Sequence, residues 1–285
     1  MPKILFQGEL GANSHIACTN VYPDYEVVPK ATFAQCFAGM QNGDADLAMI
    51  PIENSVAGRV GDVHHFIPDA GLYIIGEYFL PIHHQLLALK GSKLEEIKEV
   101  QSHIMALTQC RSLIDEYNFS QIVAADTAGS ARQIKEYGDK SRAAIATSLA
   151  AEIYDLDVIK HNVEDKENNT TRFLILSREP DFVRYEASAH DDMIITSFVF
   201  KVDNIPAALY KCLGGFATNG VNMTKLESYQ HESKFEATQF YADIQGHPDE
   251  PAVIRALKEL TYFTEDGEGA KVLGVYAGDK NQRRS

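Results

Sequence analysis

The stretch QIVAADTAGSARQIKEYGDKSRAAIATSLAAEIYDL (121–156) decides the fold class. QIVAAD is a short apolar run that leads into TAGSARQIKEYG, a helical pattern opened by Thr127 and Ser130 and closed by Gly138. RAAIAT repeats the apolar run, and SLAAEIYDL repeats the helix. A strand–helix–strand–helix rhythm of this kind needs long crossovers, so it predicts a mostly parallel α/β sheet covered by helices.

The same rhythm extends toward the N-terminus. KILFQG reads as a strand, the turn GELGAN follows, and SHIACTNVY reads as a helix with Ser14 at its N-cap. YEVVPK is the next strand, and TFAQCFAGMQNG is a helix capped by Thr32 and closed at Asn42-Gly43. DLAMIPIEN is an apolar strand with a polar end. Two consecutive strands, GLYIIGEYFL and HHQLLAL, interrupt the alternation between Gly71 and Leu89, which predicts two lobes, the second over roughly residues 80–160. SHIMALTQCRSLIDEY reads as one helix opened by Ser102, with Gln109 two turns on and on nearly the same face. Polar residues recur where strands end and helices begin: Ser14, Asn54, Ser102, Thr127 and Thr171. In open α/β sheets that rim is where ligands bind.

The pattern changes after residue 180. The segment 181–191 lies in a polar, aperiodic run that follows Pro180 and reads as a linker. Beyond it come the strand MIITSFVFKV, the helix DNIPAALYKCLGGFATNG with Asp203 or Asn204 as cap, and the strands VNMTKLESYQ and EATQFYADIQG joined by HESK. The helix DEPAVIRALKEL and the strand AKVLGVYAG complete a ferredoxin-like βαββαβ order over 192–278. Sheets of this kind expose edges that pair between subunits, so a homodimer or homotetramer is expected.

The totals narrow the function. With 285 residues, 45% hydrophobic and 23% charged, the chain reads as a globular protein of more than one core. There is no apolar run long enough for a membrane span, and MPKILFQGELG lacks a signal peptide's apolar core, which reads as a cytoplasmic protein. A net charge of −14 without a block of Lys or Arg argues against nucleic acid. A small anion would need a local set of donors. Cys18, Cys36, Cys110 and Cys212 are widely spaced and read as buried free thiols. The pairs His64-His65 and His83-His84 sit in apparent strands, where neighbours face opposite ways, so no metal site is expected.

NNTTRFLILS (168–177) sets five polar residues against a buried-looking strand. Thr171 there serves either a ligand or its own backbone. Arg172 faces the opposite side, where it either clamps a carboxylate or ties the strand to a neighbouring lobe. Phe173 returns to the side of Thr171 and packs. Ser102 serves either as a plain N-cap or as part of an anion-binding helix start.

Four segments, PIENSVAG (51–58), SHIMALTQC (102–110), ADTAGSARQI (125–134) and ENNTTRF (167–173), together resemble the ordered motifs of prephenate dehydratases. NIPAALYKCLGGFATNGVNMTKLES (204–228) resembles that family's ACT regulatory domain. The resemblance implies a two-lobed, periplasmic-binding-protein-like catalytic domain over 1–180 and an ACT domain over 192–278. It implies conversion of prephenate to phenylpyruvate, with loss of water and carbon dioxide and no cofactor. Thr171, Ser102, Gln109 and Asn54 are the implied catalytic residues, with Arg172, Phe173, Thr127, Ser130, Ser14 and Asn169 around the substrate. L-Phenylalanine is the implied inhibitor, near Asn204, Ala207, Ala208, Leu209, Glu227 and Ser228. Here the usual Gly-Ala-Leu stands as Pro206-Ala207-Ala208-Leu209 and the usual Glu-Ser-Arg-Pro as Glu227-Ser228-Tyr229-Gln230. Arogenate dehydratase and a non-catalytic anion-binding protein are the alternatives.

Overall fold

The computed structural model describes residues 1–61, 63–185, 193–203, 205–229, 239–279 and 282. The chain divides into two compact units, Met1–Val60 with Phe79–Phe173, and Gly61–Tyr78 with Leu174–Ser285.

The first unit carries two sheets. In one, β1 (Lys3–Gln7) runs parallel between β2 (Glu26–Lys30) and β3 (Leu47–Asn54), with β11 (Thr170–Ser177) on the far side of β3 and β4 (Gly58–Arg59) folded back on it. Ile4, Leu5 and Phe6 are fully buried, so β1 is covered on both faces, as its unbroken apolar run requires. The covering helices include α1 (Asn13–Val21) and α2 (Phe33–Asn42). Thr32 Oγ1 accepts from Gln35 N, and Gly43 ends α2 in the left-handed region, both as expected from sequence. Ser14 is not the cap of α1. That position belongs to Ala12, because the His15 ring reaches back to accept from Gly11 N and the preceding loop needs no serine.

The second sheet has the order β10-β6-β9-β7-β8. Its parallel part is β7 (Glu99–His103) between β8 (Ser120–Ala124) and β9 (Arg142–Ala146), and β6 (Gln85–Ala88) and β10 (Asp157–Lys160) join antiparallel. Small residues in β9 let it bury on both faces: Ile145 packs with Val100, Leu107 and Ile114, and Ala144 and Ala146 pack with Ala128, Ala131 and Ala150. The helices behind these contacts are α6 (Thr127–Tyr137), capped by the Asp126 carboxylate, and α7 (Ser148–Tyr154), capped by Thr147 Oγ1. The Thr147 hydroxyl also donates to Gly11 O. Gly11 has φ +90°, and a Cβ there would come within 2.8 Å of Ala150 Cα, so only glycine lets this loop lie against α7.

The helix expected over 102–117 is two helices, α4 (Ile104–Gln109) and α5 (Arg111–Tyr117), and Ser102 belongs to β7. Asp165 causes the break. Its N–H donates to Gln109 O at 2.7 Å, and its carboxylate accepts from Arg111 N and Ser112 N, giving the second helix a cap of its own. His103, not Ser102, caps α4, its ring Nδ1 accepting from Met105 N.

The second unit contains β12 (Ile194–Lys201), α8 (Ala208–Thr218), β13 (Met223–Tyr229), β14 (Gln239–Gln245), α9 (Pro251–Thr261) and β15 (Lys271–Ala277). The sheet order β13-β14-β12-β15 is antiparallel, with Phe198, Phe200, Ala242 and Ile244 packed against Cys212, Phe216, Val253 and Leu260 of the helices. β5 (Tyr73–Pro81) joins β15 in parallel at Ile74, where Gly274 has no room for a side chain beside the Ile74 carbonyl. The helix start expected at Asp203 or Asn204 lies further on, with Ala207 at the N-cap at φ +60°; Asn204 and the HESK turn fall outside the described residues.

All four cysteines are buried and free. Burial pushes the Cys18 and Cys36 thiols up to about 12, which keeps them protonated and unreactive at neutral pH. No helix among the described residues is long and apolar enough to cross a membrane.

Candidate active site

A cavity of about 430 Å³ lies in the first unit. Three helix starts reach it: Ala12, Asn13 and Ser14 of α1, Met105 and Ala106 of α4, and Asp126 and Thr127 of α6. Thr171, Asn54, Gln109 and His84 complete the wall used below. None of the described lining residues is Lys or Arg. Helix amides and neutral side chains are therefore the donors available to an anion there. A larger hollow of about 500 Å³ in the second unit is lined mainly by apolar and aromatic side chains and holds none of the candidate residues.

Hydrogen bonds across the cavity wall run in one fixed sense. The backbone amides of Val56 and Ala57 donate to Asn54 Oδ1 at 3.0 and 2.7 Å. A backbone N–H can only donate, so this atom must be the amide oxygen. Asn54 Nδ2 then donates to Asn169 Oδ1 at 2.7 Å and to Thr171 Oγ1 at 2.9 Å. With its oxygen committed as the acceptor, Asn169 Nδ2 donates to Gln109 Oε1 at 3.0 Å. Among the described residues, neither the Thr171 hydroxyl proton nor the Gln109 NH₂ group has an acceptor, and both residues line the cavity. Two backbone amides thus make the wall a hydrogen-bond donor.

Local structure explains the placement. Asn54 ends β3, and the chain turns back through β4, which brings the amides of 56 and 57 over its side chain. Ser55 locks that turn to β11: its N–H donates to Thr170 O and its hydroxyl accepts from Thr170 N.

Other expected residues fall elsewhere. Ser102 is fully buried and donates to Ile145 O at 2.6 Å, a strand-to-strand tie, and it does not line the cavity. The shared face expected for Ser102 and Gln109 is absent, because a strand-to-helix junction separates them. Ser130 donates back to Asp126 O inside α6, and Thr127 and Ser14 reach the cavity. Arg172 is buried, pairs with Glu53 at 3.1 Å and lies 6.0 Å from the Phe79 ring centre. Glu53 and Phe79 belong to the same unit as Arg172, and Glu53 does not line the cavity. Phe173 is core.

Three features were not found by sequence reasoning. His84 lines the cavity and touches Gln109 Oε1 through Nε2 at 3.0 Å; it lies before β6, not in a strand. His64 and His65 likewise sit in the short helix α3 (Val63–Phe66). Glu164 takes the His84 N–H and the His83 ring at 2.8 Å each. Burial pushes this carboxyl up, but the His83 ring, the His84 N–H and its own backbone amide together outweigh it and hold it below its ordinary value. Asp165 fixes the α4–α5 break described above. Among the described residues no three His, Cys, Asp or Glu side chains gather as metal ligands do.

The cavity sits on an α/β frame with neutral donors and a threonine hydroxyl in its wall, beside Asp126, and such donors can hydrogen-bond a small oxygen-rich ligand. Comparison with known proteins narrows the class. Residues 4–181 match the prephenate dehydratase family. A bifunctional N-acyl-homoserine lactone acylase/prephenate dehydratase of Komagataeibacter europaeus is 45% identical over 99% of this chain and 98% of its own length. Chloroplastic arogenate dehydratase/prephenate dehydratase 1 of Arabidopsis thaliana is 35% identical over 97% of this chain and 72% of its own length. The crystal structure of the Arthrobacter aurescens prephenate dehydratase in complex with L-Phe superposes with a TM-score of 0.87 at 29% identity, covering 99% of this chain and 92% of that one. The chain belongs to the prephenate dehydratase family and is an enzyme of that family.

Proposed function

We propose that the protein converts prephenate to phenylpyruvate in phenylalanine biosynthesis, and that the observation carrying this is the fixed polarity at Thr171. Its oxygen accepts from Asn54, so its proton is free for the ring hydroxyl that must leave. The reaction breaks the ring C–O bond and the bond to the ring carboxylate together. Carbon dioxide departs, its bonding electrons enter the ring, and the leaving hydroxide takes a proton to become water. Aromatisation drives the step. Threonine is a weak acid, so its hydrogen bond gains strength only as negative charge builds on the leaving oxygen. Gln109, Thr127, Ser14 and the start of α1 hold the two carboxylates.

Residues 1–180 carry this activity in a two-lobed catalytic domain. The segment 192–278 serves as an ACT domain for L-phenylalanine, using Ala207, Ala208, Leu209, Glu227 and Ser228 together with Asn204, in a cytoplasmic homodimer or homotetramer. The L-Phe complex of the Arthrobacter relative supports the effector. An ultraviolet assay for phenylpyruvate, with and without phenylalanine, tests both halves. No turnover rejects the enzyme reading, and no heat on titration at millimolar phenylalanine rejects the effector. The plant relatives favour arogenate as a second substrate, and the ratio of kcat/KM on the two decides. Acyl-amide hydrolysis, in the name of the Komagataeibacter relative, is a second activity measurable on an N-acyl-homoserine lactone.

A further inference from the structure

The hydrogen-bond chain of the cavity wall ends on His84, which is 3% exposed. Its backbone is held from both sides: Val163 N donates to His84 O, and His84 N donates to Glu164 Oε2, each at 2.8 Å. The next residue, Asp165, donates its N–H to Gln109 O at 2.7 Å. One short segment, 163–165, therefore fixes the backbones of His84 and Gln109 together, and their side chains meet at 3.0 Å.

One protonation state suits this contact. Gln109 Oε1 already accepts from Asn169, so it faces His84 Nε2 with a lone pair. His84 Nδ1 is buried without a hydrogen-bond partner. Protonating Nδ1 alone would set two lone pairs against each other and bury an unmatched N–H. Protonating both nitrogens would bury a charge with one N–H unmatched. The neutral ring with Nε2–H leaves only one weak acceptor unmatched. Two titratable neighbours bear on this choice: Glu164, engaged with the His84 amide and the His83 ring, and His83 itself.

The role of the contact follows from the softness of a terminal amide torsion, which is roughly two-fold. With Asn169 as its sole donor, Gln109 keeps one lone pair open. A second donor on the same oxygen makes the reversed amide meet N–H with N–H on two sides. We propose that His84 is a positioning residue of the dehydratase reaction: by donating Nε2–H to Gln109 Oε1, it locks the Gln109 amide with its NH₂ toward the cavity, where that group donates to the substrate. This rests on the dehydratase reading of the same site. Gln109 touches the substrate, and His84 acts through it.

The test combines kinetics on prephenate with ¹⁵N NMR of the histidine rings in the substrate-free protein. A glutamine side chain can place an N–H near the ring Nε2, whereas asparagine is too short and leucine has no donor. His84→Asn and His84→Leu should each lose about tenfold in kcat/KM, the worth of one oriented neutral hydrogen bond. His84→Gln should recover most of that loss, and in a Gln109→Ala background His84→Leu should cost nothing more. The ¹⁵N spectrum should show a neutral Nε2–H ring at neutral pH. Equal rates for His84→Gln and His84→Asn would overturn the proposal. So would an undiminished effect of His84→Leu in the Gln109→Ala background, or a cationic or Nδ1–H ring. Where His84→Leu does not fold, the Gln and Asn variants decide. A wild-type protein inert on prephenate defeats the dehydratase reading instead, and the NMR result still judges the hydrogen bond itself.

Discussion

Asn54→Asp should reverse the polarity of the whole cavity wall while keeping its shape. One carboxylate oxygen would still accept from Val56 N and Ala57 N at 3.0 and 2.7 Å. The other would face Asn169 Oδ1 and Thr171 Oγ1, which now receive hydrogen bonds at 2.7 and 2.9 Å. Both would have to become donors. Thr171 turns its proton to the carboxylate and offers the cavity only lone pairs. Asn169 turns its amide and presents oxygen to Gln109, whose amide must turn in answer. Two cavity donors are lost in one isosteric change. At about 2.7–4 kcal/mol for each oriented donor, kcat should fall by about 10⁴ or more. A new anion beside a dianion should also raise KM. Stability should fall modestly as well, because the turned Gln109 NH₂ meets the His84 Nε2–H and that one contact is lost while the others are reversed. As pH falls and the new carboxyl is protonated, it can donate to Thr171 again, so the variant's residual kcat should rise toward acid. The assay is phenylpyruvate absorbance across pH, beside urea melts. A folded Asn54→Asp variant that keeps more than about a tenth of wild-type kcat, well short of the loss of a single donor, refutes the fixed-polarity reasoning.

Four further outcomes are expected. Thr171→Ala should abolish most turnover with a small change in melting temperature, and Thr171→Ser, which keeps the hydroxyl, should restore much of it; steady-state kinetics separates the two. Arg172→Met should destabilise the fold by about 2–3 kcal/mol in urea melts, the lower side of a broken buried pair because Glu53 keeps some solvent, and leave KM of the folded fraction unchanged. Ala207→Gly should stabilise the second unit by about 1 kcal/mol in thermal melts, since a left-handed φ of 60° strains alanine and not glycine. Burial holds the His84 ring below its ordinary pKa, so the unfolded chain binds a proton that the folded chain refuses; stability should fall as pH drops through the ordinary histidine range, and His84→Gln should lose less between pH 7 and pH 5 in urea melts.

Local signals read correctly where the deciding partner is local. Thr32 caps α2 through a residue three positions away, and Gly43 closes it, so both are legible in eleven or so letters of sequence. The order of the elements from β12 to β15 agrees with the strands and helices read from the sequence pattern. Ser102 shows the opposite case. Serine before an apolar helical period is a sound N-cap signal, yet β7 extends to His103 because Ser102 and His103 pair with Val123 and Ala124 of β8. The break at Cys110 is made by Asp165, whose carboxylate reaches Arg111 across 54 positions. No window of local sequence contains both. His84 escaped for the same reason: its role exists only where the 163–165 segment brings it against Gln109.

For a dianion that must lose one of its carboxylates, a cavity with no Lys or Arg among its described lining residues is chemically apt. A Lys or Arg on the departing group would hold charge where the reaction has to remove it, and so would favour the substrate over the transition state. The carboxylate that stays can be held without that penalty. α1 begins without a side-chain cap, so its first amides remain open to a ligand, whereas α6 spends part of its start on the Asp126 carboxylate. The two helix starts are thus unequal. On the proposed reading, the stronger one would take the carboxylate that remains, and the weaker one, beside Asp126, the carboxylate that leaves. Charge then drains from the weaker end toward the oxygen under Thr171, where the wall has been fixed to donate. On the same reading, an acidic protein of net charge −14 would run this reaction through dipoles placed where charge arrives and not through a net positive field.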